Sequence, residues 1–262
     1  MKIVHRISVN ADESAQESLN RLGISIGTGF VSFEVEESDG RWPRLAEWCE
    51  KHQAVDDPRT EFSSTELSSA DWLALAPEWH CGYPQPDEDK FGYLNATYDL
   101  KNFCAACGIG LEQKAPFQMK AEPRWGRRNI TQLNWVFDEY FLTTALWQAV
   151  FAPAQIPSRP VLNMHGEVMR TVVQLVVETR AVIDTEGLLG QPCRMCGAIK
   201  YPPVARGLFP RLKGEPSSSV ARTNIYFGSG ASANRVVLVS QRIRRELISA
   251  GAQGVSMIPI AH

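Results

Sequence analysis

Two short segments constrain this chain more than any others: Cys104-Ala-Ala-Cys107-Gly108 and Cys193-Arg-Met-Cys196-Gly197. Two residues between thiols let both sulfurs face one ion from a tight turn. The glycine that follows lets the backbone curl so that amide N–H groups turn toward the sulfurs. Two such turns complete a closed tetrahedral site, so the expectation is one structural zinc on Cys104, Cys107, Cys193 and Cys196, with iron as the alternative occupant. The pairs lie 85 residues apart, but closure entropy grows only slowly with loop length, so a long insertion does not forbid a shared ion. The competing readings are a redox pair and unligated thiols. Against the first, Lys200-Tyr201-Pro202-Pro203 stops a helix from running on behind the second pair, as a thioredoxin-like site requires. Six cysteines in 262 residues are too few for a disulfide scaffold, and Cys49 and Cys81 stand alone.

Around the knuckles the hydrophobic pattern alternates between short strands and short helices. Lys2 to Val9 and Ile24 to Val35 are β-branched runs. Between them Asn10 or Asp12 can cap a helix carrying Leu19 and Leu22 that stops at Gly23, a plausible split β-α-β unit. Arg41 to His52 spaces Trp42, Leu45, Trp48 and Cys49 as one helical face, which places Cys49 in a core. Residues 53–90 are acidic and rich in Ser and Pro, with a helical candidate at Ser68 to Leu75, and are read as the boundary between an N-terminal lobe, 1–90, and a knuckle-bearing domain, 91–262. Farther on, strand, hydroxyl cap and helix occur twice, at Asn134–Leu142 with Thr143 and at Arg235–Val239 with Ser240. Val161 to Ile183 reads as one or two strands, and Gly254 to Ile260 as a last one. The fold class is α+β: mixed sheets with packed helices and a zinc-ribbon-like site of four cysteines.

Charge is uneven along the chain. Residues 1–90 hold eight Lys/Arg against eighteen Asp/Glu, and residues 91–262 hold nineteen against eleven. This is either an acidic face for a basic partner or two halves that offset one another. Within the acidic half, Glu34, Glu36, Glu37 and Asp39 are the candidate partner-binding residues; the strand pattern sets Glu34 and Glu36 on one face and the other two in the turn beyond. No apolar run approaches the ~18 residues of a membrane span, and MKIVHRISVN turns polar before a signal-peptide core can form. The expectation is a soluble, cytoplasmic protein with no membrane partner.

Catalytic signatures are missing. There is no phosphate-binding Walker loop, no G-x-S-x-G and no H-E-x-x-H. The five histidines share no metal spacing, and four thiolates would leave a zinc no position open to water. The Gly23 to Gly29 run leads into a strand and not a helix, and Phe227 to Ser232 (FGSGAS) reads as an amide anion nest or a turn. Scattered acids such as Asp138 and Glu139 carry no spacing signature in either direction.

The two knuckles, the long insert and a C-terminal strand–Ser–helix ending in AGAQGVSMIPI resemble the bacterial double-CXXCG motif proteins over residues 95–262. Some of that family are regarded as immunity proteins that neutralise polymorphic toxins. The resemblance implies a non-enzymatic binding protein whose partner is a protein, a cationic toxin being the form that suits an acidic lobe. The alternative is a zinc-ribbon nucleic-acid binder using Arg124-Trp125-Gly126-Arg127-Arg128, against which stands a sequence pI of about 6.2.

Overall fold

The computed structural model describes residues 1–87 and 91–262. They form two compact units: Met1–Glu66 with Val204–Gly207, and Leu67–Pro203 with Leu208–His262. The expected boundary near residue 90 therefore falls earlier. The reason is strand β4 (Trp72–Pro77), whose run Trp-Leu-Ala-Leu is buried throughout and so must be covered on both faces. It lies inside a sheet of the second unit, where the sequence had suggested a helix over Ser68 to Leu75; the helix there, α3 (Ser64–Ser69), is shorter and earlier.

In the first unit β1 (Lys2–Ala11) is central, flanked antiparallel by β2 (Gly29–Glu36) and β3 (Val55–Glu61). Helix α1 (Glu13–Arg21) is capped by Asp12, whose carboxylate accepts from the Ala15 amide, and Gly23 follows its end at φ +74°. Residues 24–28 are not strand, contrary to the apolar pattern. Because β2 begins opposite Ala11, the chain must first travel back along α1, and Gln16 Nε2 ties this return to the Ile26 carbonyl at 2.8 Å. The result is an antiparallel sheet and not a split β-α-β unit. One face of it is covered by α1 and α2 (Trp42–Lys51), burying Ile7, Leu19, Leu45, Trp48 and Cys49.

The second unit is organised by two sheets. One runs β11 (Arg180–Ala181), β14 (Val220–Thr223), β16 (Val237–Ser240), β4, β17 (Val255–Pro259). The other runs β7 (Ile130–Leu133), β8 (Val136–Thr143), β10 (Val168–Leu175), β9 (Ser158–Leu162). Successive side chains of a strand face opposite ways, and β8 uses both directions: Tyr140 and Leu142 enter a core with Leu73, Phe151 and Val239, while Phe141 enters a second core with Tyr98, Phe117 and Val172. Both anticipated caps form. Thr143 accepts from the Leu146 amide at the head of α5 (Thr144–Leu146), which continues as a π-helical turn to Phe151, and Ser240 accepts from Ile243 at the head of α6 (Gln241–Ser249). Helix α4 (Tyr93–Thr97) leads into the short pair β5 (Tyr98–Asp99) and β6 (Glu112–Gln113), and a three-stranded sheet runs β12 (Gln191–Pro192), β13 (Ile199–Tyr201), β15 (Tyr226–Phe227). These two small sheets carry the knuckles.

Candidate metal centre

Each knuckle is the tip of an antiparallel excursion. β5 and β6 pair Tyr98 with Gln113 on either side of the first, and β12 and β13 pair Pro192 with Ile199 on either side of the second. The two turns repeat one backbone pattern. The amide of Cys104 donates to Ile109 O and that of Cys193 to Ala198 O, both at 2.8 Å; Gly108 N returns to Cys104 O at 2.8 Å and Gly197 N to Cys193 O at 2.9 Å. Both glycines sit at positive φ, +81° and +75°, where a side chain is strained. The Cys-x-x-Cys-Gly spacing thus does what it was expected to do locally.

What only the fold supplies is the meeting of the pairs. All four Sγ atoms lie within 4.8 Å of one another, the one such metal-ligating group among the described residues. Cys104 Sγ is 3.9 Å from Cys193 Sγ, and Cys107 Sγ is 3.7 Å from Cys196 Sγ. A disulfide needs about 2.05 Å, so these sulfurs are not placed to bond one another. A tetrahedron with metal–sulfur bonds of about 2.3 Å has edges of about 3.8 Å, close to these two separations. The four-cysteine set therefore fits a single tetrahedral ion.

Within the second knuckle Cys193 is held toward the thiolate while the Cys196 thiol is raised, with Cys104 and Cys193 among the causes. Backbone amides of Cys196 and Met195 point at Cys193 Sγ and bring its thiol down to about 6, whereas burial pushes Cys107 up to about 12. Metal binding at neutral pH therefore displaces a proton from Cys107.

Lys200 is the residue the sequence did not mark. It is buried, in β13 just past the second knuckle, and its Nζ donates to Cys107 O at 2.9 Å, Gly230 O at 2.6 Å and Ser232 O at 2.9 Å. It clamps the strand behind one knuckle to the backbone of the other through the Cys107 carbonyl. The FGSGAS segment thus turns carbonyls toward a lysine, so the anion nest weighed for it does not form on this side. A buried lysine flanked by Ile199 and Tyr201 has no sequence signature.

Four other expectations can be placed. Glu34 pairs with Arg59 at 2.6 Å, Glu36 with Lys2 at 2.8 Å, Asp39 with Arg41 at 2.6 Å, and Glu37 with Arg206 and His5. The candidate partner-binding carboxylates are thus all matched by cations of their own unit. In the basic stretch, Arg128 lies over Trp79 at 5.1 Å and Trp125 packs edge-on to the same ring at 5.7 Å. Cys49 is buried and its thiol is pushed up to about 11 by that burial, so it is a packing residue. Asp138 and Glu139 sit together on β8, where Glu139 receives Arg222 Nη1 at 2.8 Å, Nη2 at 3.1 Å and Gln174 Nε2 at 2.9 Å.

No family model matches the chain, and no curated protein matches it in sequence. No helix among the described residues is long and apolar enough to cross a membrane.

Proposed function

We propose that this chain is a zinc-stabilised, non-enzymatic binding protein that occupies a protein partner, in the manner of the immunity proteins of the double-CXXCG group it resembles. The observation that carries the reading is the closed geometry of the four sulfurs. With edges of 3.7 and 3.9 Å, a tetrahedral ion has all four positions taken by thiolates and none left for water or substrate. That is the arrangement of a structural zinc. Zinc is favoured over iron because it prefers four N/S ligands in a closed tetrahedral structural site, and its binding energy serves directly as folding energy.

Recognition of a basic partner rests on the first unit, which holds eight Lys/Arg against thirteen Asp/Glu. Since Glu34, Glu36, Glu37 and Asp39 are already paired, most of the unmatched acid lies on the helices: Glu13 and Glu17 of α1 and Glu47 and Glu50 of α2, like Asp57 of β3, are exposed and have no ion pair among the described residues. Unpaired charge steers association, while paired charge contributes to register once the partners meet.

The test has two parts. Purified protein should hold one equivalent of zinc, lost together with solubility in Cys104→Ser and Cys193→Ser. Association with the product of a neighbouring toxin-like reading frame should slow as salt rises and slow further when Glu13, Glu17, Glu47 and Glu50 are reversed. Tight binding to random-sequence nucleic acid, with no protein partner affected by these reversals, would overturn the reading in favour of the basic Arg124–Arg128 stretch.

A further inference from the structure

The second unit contains two adjoining cavities, the second of them walled in part by Ala105 and Gly108 of the first knuckle. The first, of about 450 Å³, is polar. Its floor is a built network: Arg222 is nine-tenths buried and held by both oxygens of Glu139, which Gln174 supports, and Gln174 in turn exchanges hydrogen bonds with Gln113 at 2.7 and 2.9 Å. Three more guanidinium groups line the same space: Arg159, Arg180 and Arg235. Arg235 lies 4.0 Å from Asp138 and over the ring of Tyr226, while Arg159 and Arg180 have no ion pair among the described residues. Glu112 and Glu178 are also in the wall and are exposed. Arg180 is exposed at the wall, and partial burial, then Arg235 and Arg222, hold its guanidinium below the usual range against Tyr226 and Asp138. An anion between Arg180 and Arg235 would relieve that repulsion.

The second cavity, of about 410 Å³, is apolar, and Tyr98, Leu111 and Asp138 line both. Its other walls include Phe91, Tyr93, Phe103, Trp135 and Phe137. Three of these rings stay in solvent, Phe91 at 48%, Trp135 at 39% and Phe137 at 43% exposure, which forfeits apolar burial. Phe91 and Trp135 also hold their backbones at φ +59° and +69°, in the left-handed region that disfavours bulky residues. Trp135 stands in the two-residue turn between β7 and β8, and that turn carries its ring to the cavity mouth. Each cavity lies within the size range of small-molecule sites.

We infer that the paired cavities bind a small organic anion, its acid group taken by Arg180 and Arg235 and its flat apolar body by the rings around Trp135 and Phe137. The acid can be a carboxylate, phosphate or sulfonate, since a guanidinium fork recognises each.

Fluorescence titration of the zinc-loaded full chain with anilinonaphthalene sulfonate, an aromatic anion, and with uncharged phenylnaphthylamine tests this. We expect one saturable site that prefers the sulfonate. Arg180→Ala should weaken the sulfonate about tenfold, as loss of a charge-assisted contact does, and leave the neutral probe unchanged. Phe137→Ala should weaken both. Each substituted residue is at a cavity wall and outside the buried network, and unchanged circular dichroism and zinc content verify folding. Phenyl phosphate and benzoate as competitors distinguish the acid, and displacement by either supports the site. Equal affinity for the two probes, an unaffected Arg180→Ala variant, no saturable binding, or displacement by neither competitor would overturn it.

Discussion

The two knuckle glycines occupy the same backbone turn but different surroundings, and substituting each by alanine separates local from tertiary requirements. At Gly197 a Cβ would meet nothing within 4 Å, so Gly197→Ala incurs only the left-handed φ of +75°, about 1–2 kcal/mol. At Gly108 the same strain applies, and in addition the Cβ would lie 2.3 Å from Ala231 O and 2.9 Å from Ala233 N. Relief needs a backbone shift of about 1 Å in residues 231–233 to reach ordinary contact. That shift pulls on the neighbouring Gly230 and Ser232 carbonyls, which accept from Lys200 at 2.6 and 2.9 Å. Losing one or two such bonds costs about 1.5–3 kcal/mol each, which with the strain makes a total of roughly 2.5–8 kcal/mol, reaching into the range of severe core lesions. The assay is urea unfolding of the zinc-loaded variants, followed in parallel by zinc transfer to a colorimetric chelator. Gly108→Ala should unfold at much lower urea and release zinc far faster than Gly197→Ala. If the two variants agree within about 1 kcal/mol, the packing of the 231–233 backbone on the first knuckle is not what holds it.

Lys200→Met should destabilise the second unit by about 3–5 kcal/mol, because three buried carbonyls lose a charged donor together, and should speed zinc release; stability equal to the parent would refute the clamp. Glu139→Gln leaves Arg222 buried without its bidentate partner and should cost about 3–5 kcal/mol, whereas Glu139→Gln with Arg222→Met should regain much of it, since the pair's desolvation is then avoided; a double-mutant cycle measures the difference. Burial, with Glu139 beside it, raises the Asp138 carboxyl from 3.8 to about 6. The native state therefore binds the proton more tightly than the unfolded chain, and ionising Asp138 lowers stability as pH rises from about 4 through 6. Asp138→Asn should thus stabilise by about 2–3 kcal/mol at pH 7 and by little below pH 4; urea midpoints across that range check the sign.

Much of the local structure is legible in the residues themselves. Asp12, Thr143 and Ser240 announce helix starts because a short side chain one residue before the first turn can reach an orphan amide, and each does so here. The Cys-x-x-Cys-Gly pairs likewise specify their own turns, since spacing and a positive-φ glycine act within a few residues. Where the sequence misleads, a longer-range demand wins. Residues 24–28 look like strand but serve as the return path along α1. Trp72 to Leu75 follow a serine-rich stretch yet pair with β16 and β17, because an apolar run buried on both faces is stable only inside a sheet. The acids Glu34, Glu36, Glu37 and Asp39 read as open charge until β-pairing and turns bring Arg59, Lys2, Arg41 and Arg206 to them. The shared site of the four sulfurs is legible in the two matching motifs, whereas the Lys200 clamp and the arginine-lined cavity are not. Lys200 meets carbonyls 30, 32 and 93 residues away and Arg222 meets Glu139 at a separation of 83, and groups that far apart in sequence have no common periodicity to betray them. Only the packing of the sheets decides which of them meet.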